Sequence, residues 1–217
     1  MVITEQKPFS EIAGHLKKGE RIFIVECGEC STTCKTGGEE EVLALKRKLQ
    51  EEGFSITGFT VPKAPCIASH VKSAIANNFN QIKESDSYLI LTCGLGAQSV
   101  IANDRLNLPV HIGCNTLFMG MVGLDTKNFF EVCSACGDCM LEDTSGICAL
   151  TQCPKGILNG PCGGMAEGKC EADRDRECVW VTIYNRLKER GRLESFFKIY
   201  PAKDFSKHKK PRHKVIS

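Results

Sequence analysis

Over its first half the chain alternates short apolar runs with longer amphipathic stretches, and that alternation predicts its elements. Arg21 to Glu26 (R-I-F-I-V-E), Phe54 to Val61, Ser87 to Thr92 (S-Y-L-I-L-T) and Leu108 to Gly113 are compact apolar runs of strand length. Between them, Glu39 to Glu52 carries Val42, Leu45 and Leu49 at helical spacing, and Gly53 stops it. Ala68 to Asn77 reads as a short helix, and another helical stretch runs on to Leu106. Upstream, Ser10 is the expected N-cap of a helix from Glu11 to Lys18 that Gly19 ends. The order βαβαβαβ predicts an α/β fold built on a small open parallel sheet with right-handed crossovers.

The pattern then changes. Asn115 to Phe130 is mixed, holds Gly120 and Gly123, and marks the expected boundary. Residues 1–120 are read as the α/β domain, 121–200 as an irregular cysteine-rich metal-binding domain ending in a helix, and 201–217 as a basic, solvated and disordered tail. In the C-terminal helix Trp180, Ile183, Tyr184 and Leu187 fall on one face, with Leu193, Phe196 and Phe197 beyond Gly191. A stripe of that kind packs as intramolecular core.

Hydrophobic residues make up 42% of the chain and charged ones 25%, as in ordinary globular proteins. No apolar run reaches the ~18 residues of a membrane span. Met1 to Glu20 is polar and lacks the apolar region of a signal peptide, so a cytoplasmic protein is expected. The net charge of +2 conceals an asymmetry: residues 201–217 carry six Lys or Arg against one Asp. These basic residues sit in a tail and not across a folded face with stacking aromatics, which argues against nucleic-acid binding.

Fourteen cysteines change the picture most. A reducing compartment does not support a disulfide framework, and thiols this dense point to metal. Cys27, Cys66, Cys93 and Cys114 each fall at or just beyond the C-terminal end of a predicted strand, and Cys30 and Cys34 lie in the first loop. Those strand ends form the edge where open parallel sheets bind ligands. The other eight, Cys133, Cys136, Cys139, Cys148, Cys153, Cys162, Cys170 and Cys178, fall in one glycine-rich segment that opens with a C-x2-C-x2-C repeat. That repeat and the Cys153-Pro154 pair are the parts of ferredoxin-type cluster loops. Two [4Fe–4S] clusters, one per domain, are expected, and the eight C-terminal cysteines leave room for a third cluster or a zinc ion. Soft thiolates serve iron or zinc, so ligand type alone does not decide.

No H-E-x-x-H, P-loop or G-x-S-x-G motif occurs, and no independent active site is expected. Gly94-Leu95-Gly96 fails as a dinucleotide fingerprint because Ser99 holds the last glycine's place; a tight turn beside Cys93 is expected instead. His70 and His111 are read as structural histidines.

The segments C-S-A-C-G-D-C-M-L-E-D-T-S-G-I-C, C-P-K-G-I-L-N-G-P-C-G-G and E-C-V-W-V-T-I-Y-N-R-L resemble the methylenetetrahydrofolate reductase C-terminal-type domain. N-G-P-C-G-G, from Asn159 to Gly164, is the most distinctive part. Together with C-G-E-C-S-T-T-C-K-T-G-G near the N-terminus, about residues 20–200 are similar to MetV-type small iron–sulfur subunits of methylenetetrahydrofolate reductase. The resemblance implies a partner, a MetF-type flavin-binding subunit whose FMN reduces methylenetetrahydrofolate in the Wood–Ljungdahl pathway. This chain is too short for a (β/α)8 barrel and would be the non-catalytic subunit that carries electrons from a ferredoxin or another donor subunit to that flavin. The alternative is a zinc-binding scaffold subunit of the same complex with no redox role; a thiol relay is a third reading.

Overall fold

The central strand of the larger sheet, β2 (Arg21–Val25), alternates its side chains between two cores. Ile22 and Ile24 point to one face and Phe23 and Val25 to the other, as the two-residue period of a strand requires. Both faces are covered from Ile22 to Val25, so the strand is apolar over that stretch. The computed structural model describes residues 1–216, which form two compact units, one from Met1 to Phe118 and one from Met119 onward.

In the first unit β3 (Ser55–Thr60), β4 (Ser87–Ile90) and β5 (Val110–Ile112) join β2 in a parallel sheet of order β3-β2-β4-β5. The expected open parallel α/β sheet is present. On one face α1 (Phe9–His15) and α3 (Glu39–Glu51) bring Ile12, Val42, Leu45 and Leu49 against Ile22, Ile24 and Leu89. On the other, α4 (Ala68–Asn77), α5 (Phe79–Lys83) and α6 (Gly94–Asn103) bring Val71, Ile82, Ala97 and Val100 against Phe23, Val25, Tyr88 and Ile90. The short α2 (Cys30–Thr33) sits in the loop after β2.

Three strands were not legible in the pattern. β1 (Val2–Gln6) opens the chain, and β6 (Cys114–Val122) begins directly after β5. β1 and the start of β6 are neighbours, and the end of β6 pairs antiparallel with β7 (Phe129–Glu131). Helix α1 also differs from expectation: it starts at Phe9 behind Pro8, so Ser10 lies inside its first turn and does not cap it.

The second unit holds little regular structure before α7 (Ala149–Gln152) and α8 (Val179–Glu189). Its core gathers Met140, Ile147 and Ala149 around Trp180, Ile183 and Leu187, the expected stripe of α8. Phe196 stands edge-on to both Trp180 and Tyr184. The basic end, expected from composition as a solvated tail, carries a 3-10 turn at Phe205–His208.

Gly37 shows how tightly the first loop is docked. A Cβ at this position would lie 2.4 Å from the backbone oxygen of Leu91, at the end of β4. Gly37→Ala is expected to lower stability by roughly 1–3 kcal/mol, because backbone and not a flexible side chain must move. A thermal melt superposing on that of the unmodified protein would show that the loop relaxes freely.

Candidate metal centre

Strand order decides where the N-terminal cysteines meet. The chain leaves β2 for β3 on one side and then crosses back over β2 to β4, so the loops after β2 and β4 diverge. That divergence opens a crevice at the C-terminal strand edge. Cys27 stands two residues past β2, and Cys93, just past β4, is the N-cap of α6. The Gly94-Leu95-Gly96 stretch forms the first turn of that helix and not a separate tight turn.

Cys66 comes in from the loop after β3. Burial pushes its thiol up, and the neighbouring thiols of Cys93, Cys27 and Cys30 push it the same way when ionised. Cys27, Cys30, Cys66 and Cys93 therefore share one neighbourhood. Cys30 Sγ accepts from Val2 N at 3.5 Å, and Cys34 Sγ faces Val2 O at 4.0 Å, so β1 backs this loop.

Cys114 lies deeper. Its thiol donates to Thr36 O at 3.5 Å, and burial, aided by the carboxylate of Glu26, pushes it up to about 12. Glu26 is fully buried directly before Cys27. One carboxyl oxygen accepts from the Gly38 N–H, and the other has no hydrogen-bond partner among the described residues. Burial pushes this carboxyl up to about 8. Sequence reasoning missed Glu26, although an acid closing the run R-I-F-I-V was a visible signal.

In the second unit Cys153, Cys162, Cys170 and Cys178 line one pocket, walled by Val179 and Trp180. Cys178 is the N-cap of α8 and Cys153 the C-cap of α7, so the two helices fix half the set. Cys148 caps the other end of α7, its sulfur 3.4 Å from Thr151 Oγ1. The C-x2-C-x2-C loop is more open: Cys133 and Cys139 are exposed and Cys136 is half-buried. Ala135, between the first two, takes a left-handed φ of 52° and points its N–H at Cys133 Sγ, 3.4 Å away. A non-glycine residue pays for that conformation, so the loop is held by its surroundings.

All fourteen cysteines are free thiols, and two sets of four share a neighbourhood or a pocket. Four thiol donors suit a four-thiolate centre, either an iron–sulfur cubane or a tetrahedral zinc. Among the described residues no three His, Cys, Asp or Glu side chains close on a single ion-sized point. The histidines stay outside these sets: His111 Nε2 lies 3.1 Å from Glu20, and His70 Nδ1 is buried without a partner among the described residues.

Residues 111–206 match the family model described as methylene-tetrahydrofolate reductase C terminal. Those residues form a methylenetetrahydrofolate reductase C-terminal-type domain. No curated protein and no solved structure matched the chain. Within the described residues no helix is long and apolar enough to cross a membrane.

The distinctive N-G-P-C-G-G run of this reductase domain has a physical reading in the fold. Asn159 pairs its side-chain amide with the backbone of Tyr200, donating to Tyr200 O at 2.9 Å and accepting from Tyr200 N at 2.7 Å. Tyr200 in turn donates its hydroxyl to Asp143, which also pairs with Lys198. Gly164 lies so close to the Glu171 carboxylate that a Cβ there would displace it. Glu171 accepts from Lys155 and, at 3.3 Å, from the Cys162 thiol. Hydrogen bonds from Lys155 and then Cys162 hold the Glu171 carboxyl below its usual range. The reductase domain thus sets a lysine–glutamate pair beside Cys162, which spacing alone could not reveal.

Proposed function

We propose that this chain is the iron–sulfur electron-transfer subunit of a methylenetetrahydrofolate reductase complex, passing electrons from a ferredoxin or other donor to the FMN of a MetF-type catalytic subunit in the Wood–Ljungdahl pathway. The observation that carries the reading is the grouping of free thiols, four at the switch-point edge and four around one pocket, in a chain with a reductase C-terminal domain. Soft thiolates in fours are the ligand set of [4Fe–4S] clusters, which when bound supply one-electron carriage. The flavin chemistry belongs to the partner's cofactor.

This chain's own residues have three tasks. The cysteines give up protons to become ligands, and Val179 and Trp180 wall the second pocket against water. Lys155 places positive charge beside Cys162 and Cys170 and pairs with Glu171. The donor set accepts iron or zinc, so metal content separates this reading from a zinc scaffold.

Anaerobically purified protein is expected to contain about four irons and four sulfides per occupied set and to give a reduced-cluster EPR signal after dithionite. Zinc with no iron would assign the chain to the scaffold. Cys93→Ala should remove about four irons per chain and leave the EPR signal of the C-terminal set. Loss of all iron in that variant would show that the two sets are not independent.

A further inference from the structure

The basic end of the chain lies along the C-x2-C-x2-C loop. Lys203 donates to Asp138 O, and the Asp138 carboxylate has Lys203 Nζ at 3.6 Å and Lys207 Nζ at 3.4 Å. Arg212 Nη1 donates to Ala135 O at 2.8 Å, and a Cβ on Gly137 would meet Lys207 O at 3.3 Å. The segment from Lys203 to Arg212 therefore borders the loop that presents Cys133 and Cys139 to solvent.

The charges do not cancel. Asp138 is the one acid between Cys133 and Cys139, and it already faces two lysines. Asp204 accepts from Ser206 N in its own 3-10 turn. Lys209, Lys210 and Lys214 are exposed and have no ion-pair partner among the described residues, and Arg212 bonds a neutral carbonyl. Phe205, 65% exposed, stands in the same turn as Lys207 and offers an apolar anchor of the kind found at the centre of protein interfaces.

We propose that Lys203 to Lys214 is the landing surface for an acidic, one-electron-carrying protein, which it brings onto the open face of the Cys133–Cys139 loop. The proposal rests on the electron-transfer reading and names where the donor docks. Carboxylates around the donor's own redox centre complement the lysine rim, and such complementarity steers encounter and fixes register more than it adds affinity. At this contact one electron would leave the reduced donor for a centre that Cys133, Cys136 and Cys139 would help to hold; no bond is made or broken and no proton is required. The rim is built against the cysteine loop itself, which favours a redox protein over a polyanion.

The test is stopped-flow reduction of the full-length, anaerobically purified protein by a chemically reduced acidic ferredoxin, at increasing ionic strength. The variant combines Lys209→Gln, Lys210→Gln and Lys214→Gln, three exposed side chains with no hydrogen bond or ion pair to the loop among the described residues. The second-order rate at low salt is expected to fall roughly tenfold and to lose much of its salt dependence, since steering of this kind is worth 10-fold or more. Iron content and reduction by dithionite should match the unmodified protein. An unchanged rate and salt slope would overturn the docking surface alone. Single-stranded RNA binding lost in the variant, with the ferredoxin rate intact, would make the rim a nucleic-acid site and overturn it too. An unmodified chain without reducible iron would overturn the electron-transfer reading together with this one.

Discussion

Trp180→Ala is expected to destabilise the second unit by about 3–5 kcal/mol. Trp180 is 4% exposed, stands edge-on to Phe196 with ring centroids 5.9 Å apart, and donates its indole N–H to Ile157 O at 3.0 Å. Truncation to alanine opens a cavity between α8 and the cysteine-rich loops and leaves the Ile157 carbonyl without its donor. It also removes one wall of the pocket lined by Cys153, Cys162, Cys170 and Cys178. Trp180→Phe keeps most of the volume and loses chiefly the hydrogen bond, a cost near 1 kcal/mol. Circular-dichroism melts should rank the unmodified protein above the phenylalanine variant and that above the alanine variant. Equal melts for the two variants would mean that the ring's volume contributes nothing.

Glu26→Gln is expected to flatten the pH dependence of stability. The Glu26 carboxyl is raised from its ordinary value of 4.5 to about 8, first by burial and then by the nearby Glu41, with the Gly38 N–H pulling the other way. The folded protein therefore keeps this proton where the unfolded chain has lost it. The resulting stability is fully present below about pH 4.5, falls as pH rises, and is gone above about pH 8. Across that window the loss is on the order of a few kcal/mol. Glutamine retains a carbonyl oxygen for Gly38 and cannot ionise. Urea midpoints of the two proteins should diverge between pH 5 and pH 8, with the glutamine variant flat. Parallel curves would show that another group governs this range.

The parallel sheet could be read from the sequence because its two central strands, β2 and β4, are buried on both faces and appear as nearly unbroken apolar runs. The C-terminal helix could be read because Trp180, Ile183 and Leu187 keep helical spacing and form its buried side. β6 was hidden because Leu117, Phe118, Met119, Met121 and Val122 put apolar residues on nearly consecutive positions and obscure the two-residue period. None of them is buried; their accessibility alternates from Leu117 to Val122, but apolar residues occupy both faces, so the sequence does not display the alternation. Of the candidate site, strand direction alone placed Cys27, Cys66, Cys93 and Cys114 towards one edge, with Cys30 and Cys34 in the loop after the first of those strands. The partners of those thiols were invisible. Glu171 meets Cys162, and Asp138 meets Lys203 and Lys207, across loops whose course no local propensity encodes.

The two four-thiol sets differ in how far the chain must travel to assemble them. Cys27, Cys30, Cys66 and Cys93 are brought together by loops following three different strands, so they converge only after the parallel sheet has formed. Non-local parallel pairing incurs its loop-closure entropy before any contact rewards it and is slow for that reason. Cys153, Cys162, Cys170 and Cys178 lie within one short segment, and closing its loops costs much less. In a chain emerging from the ribosome, the set nearer the N-terminus is made first, yet its geometry waits on strands β2 to β4. The later set can gather its thiols almost as soon as it is synthesised.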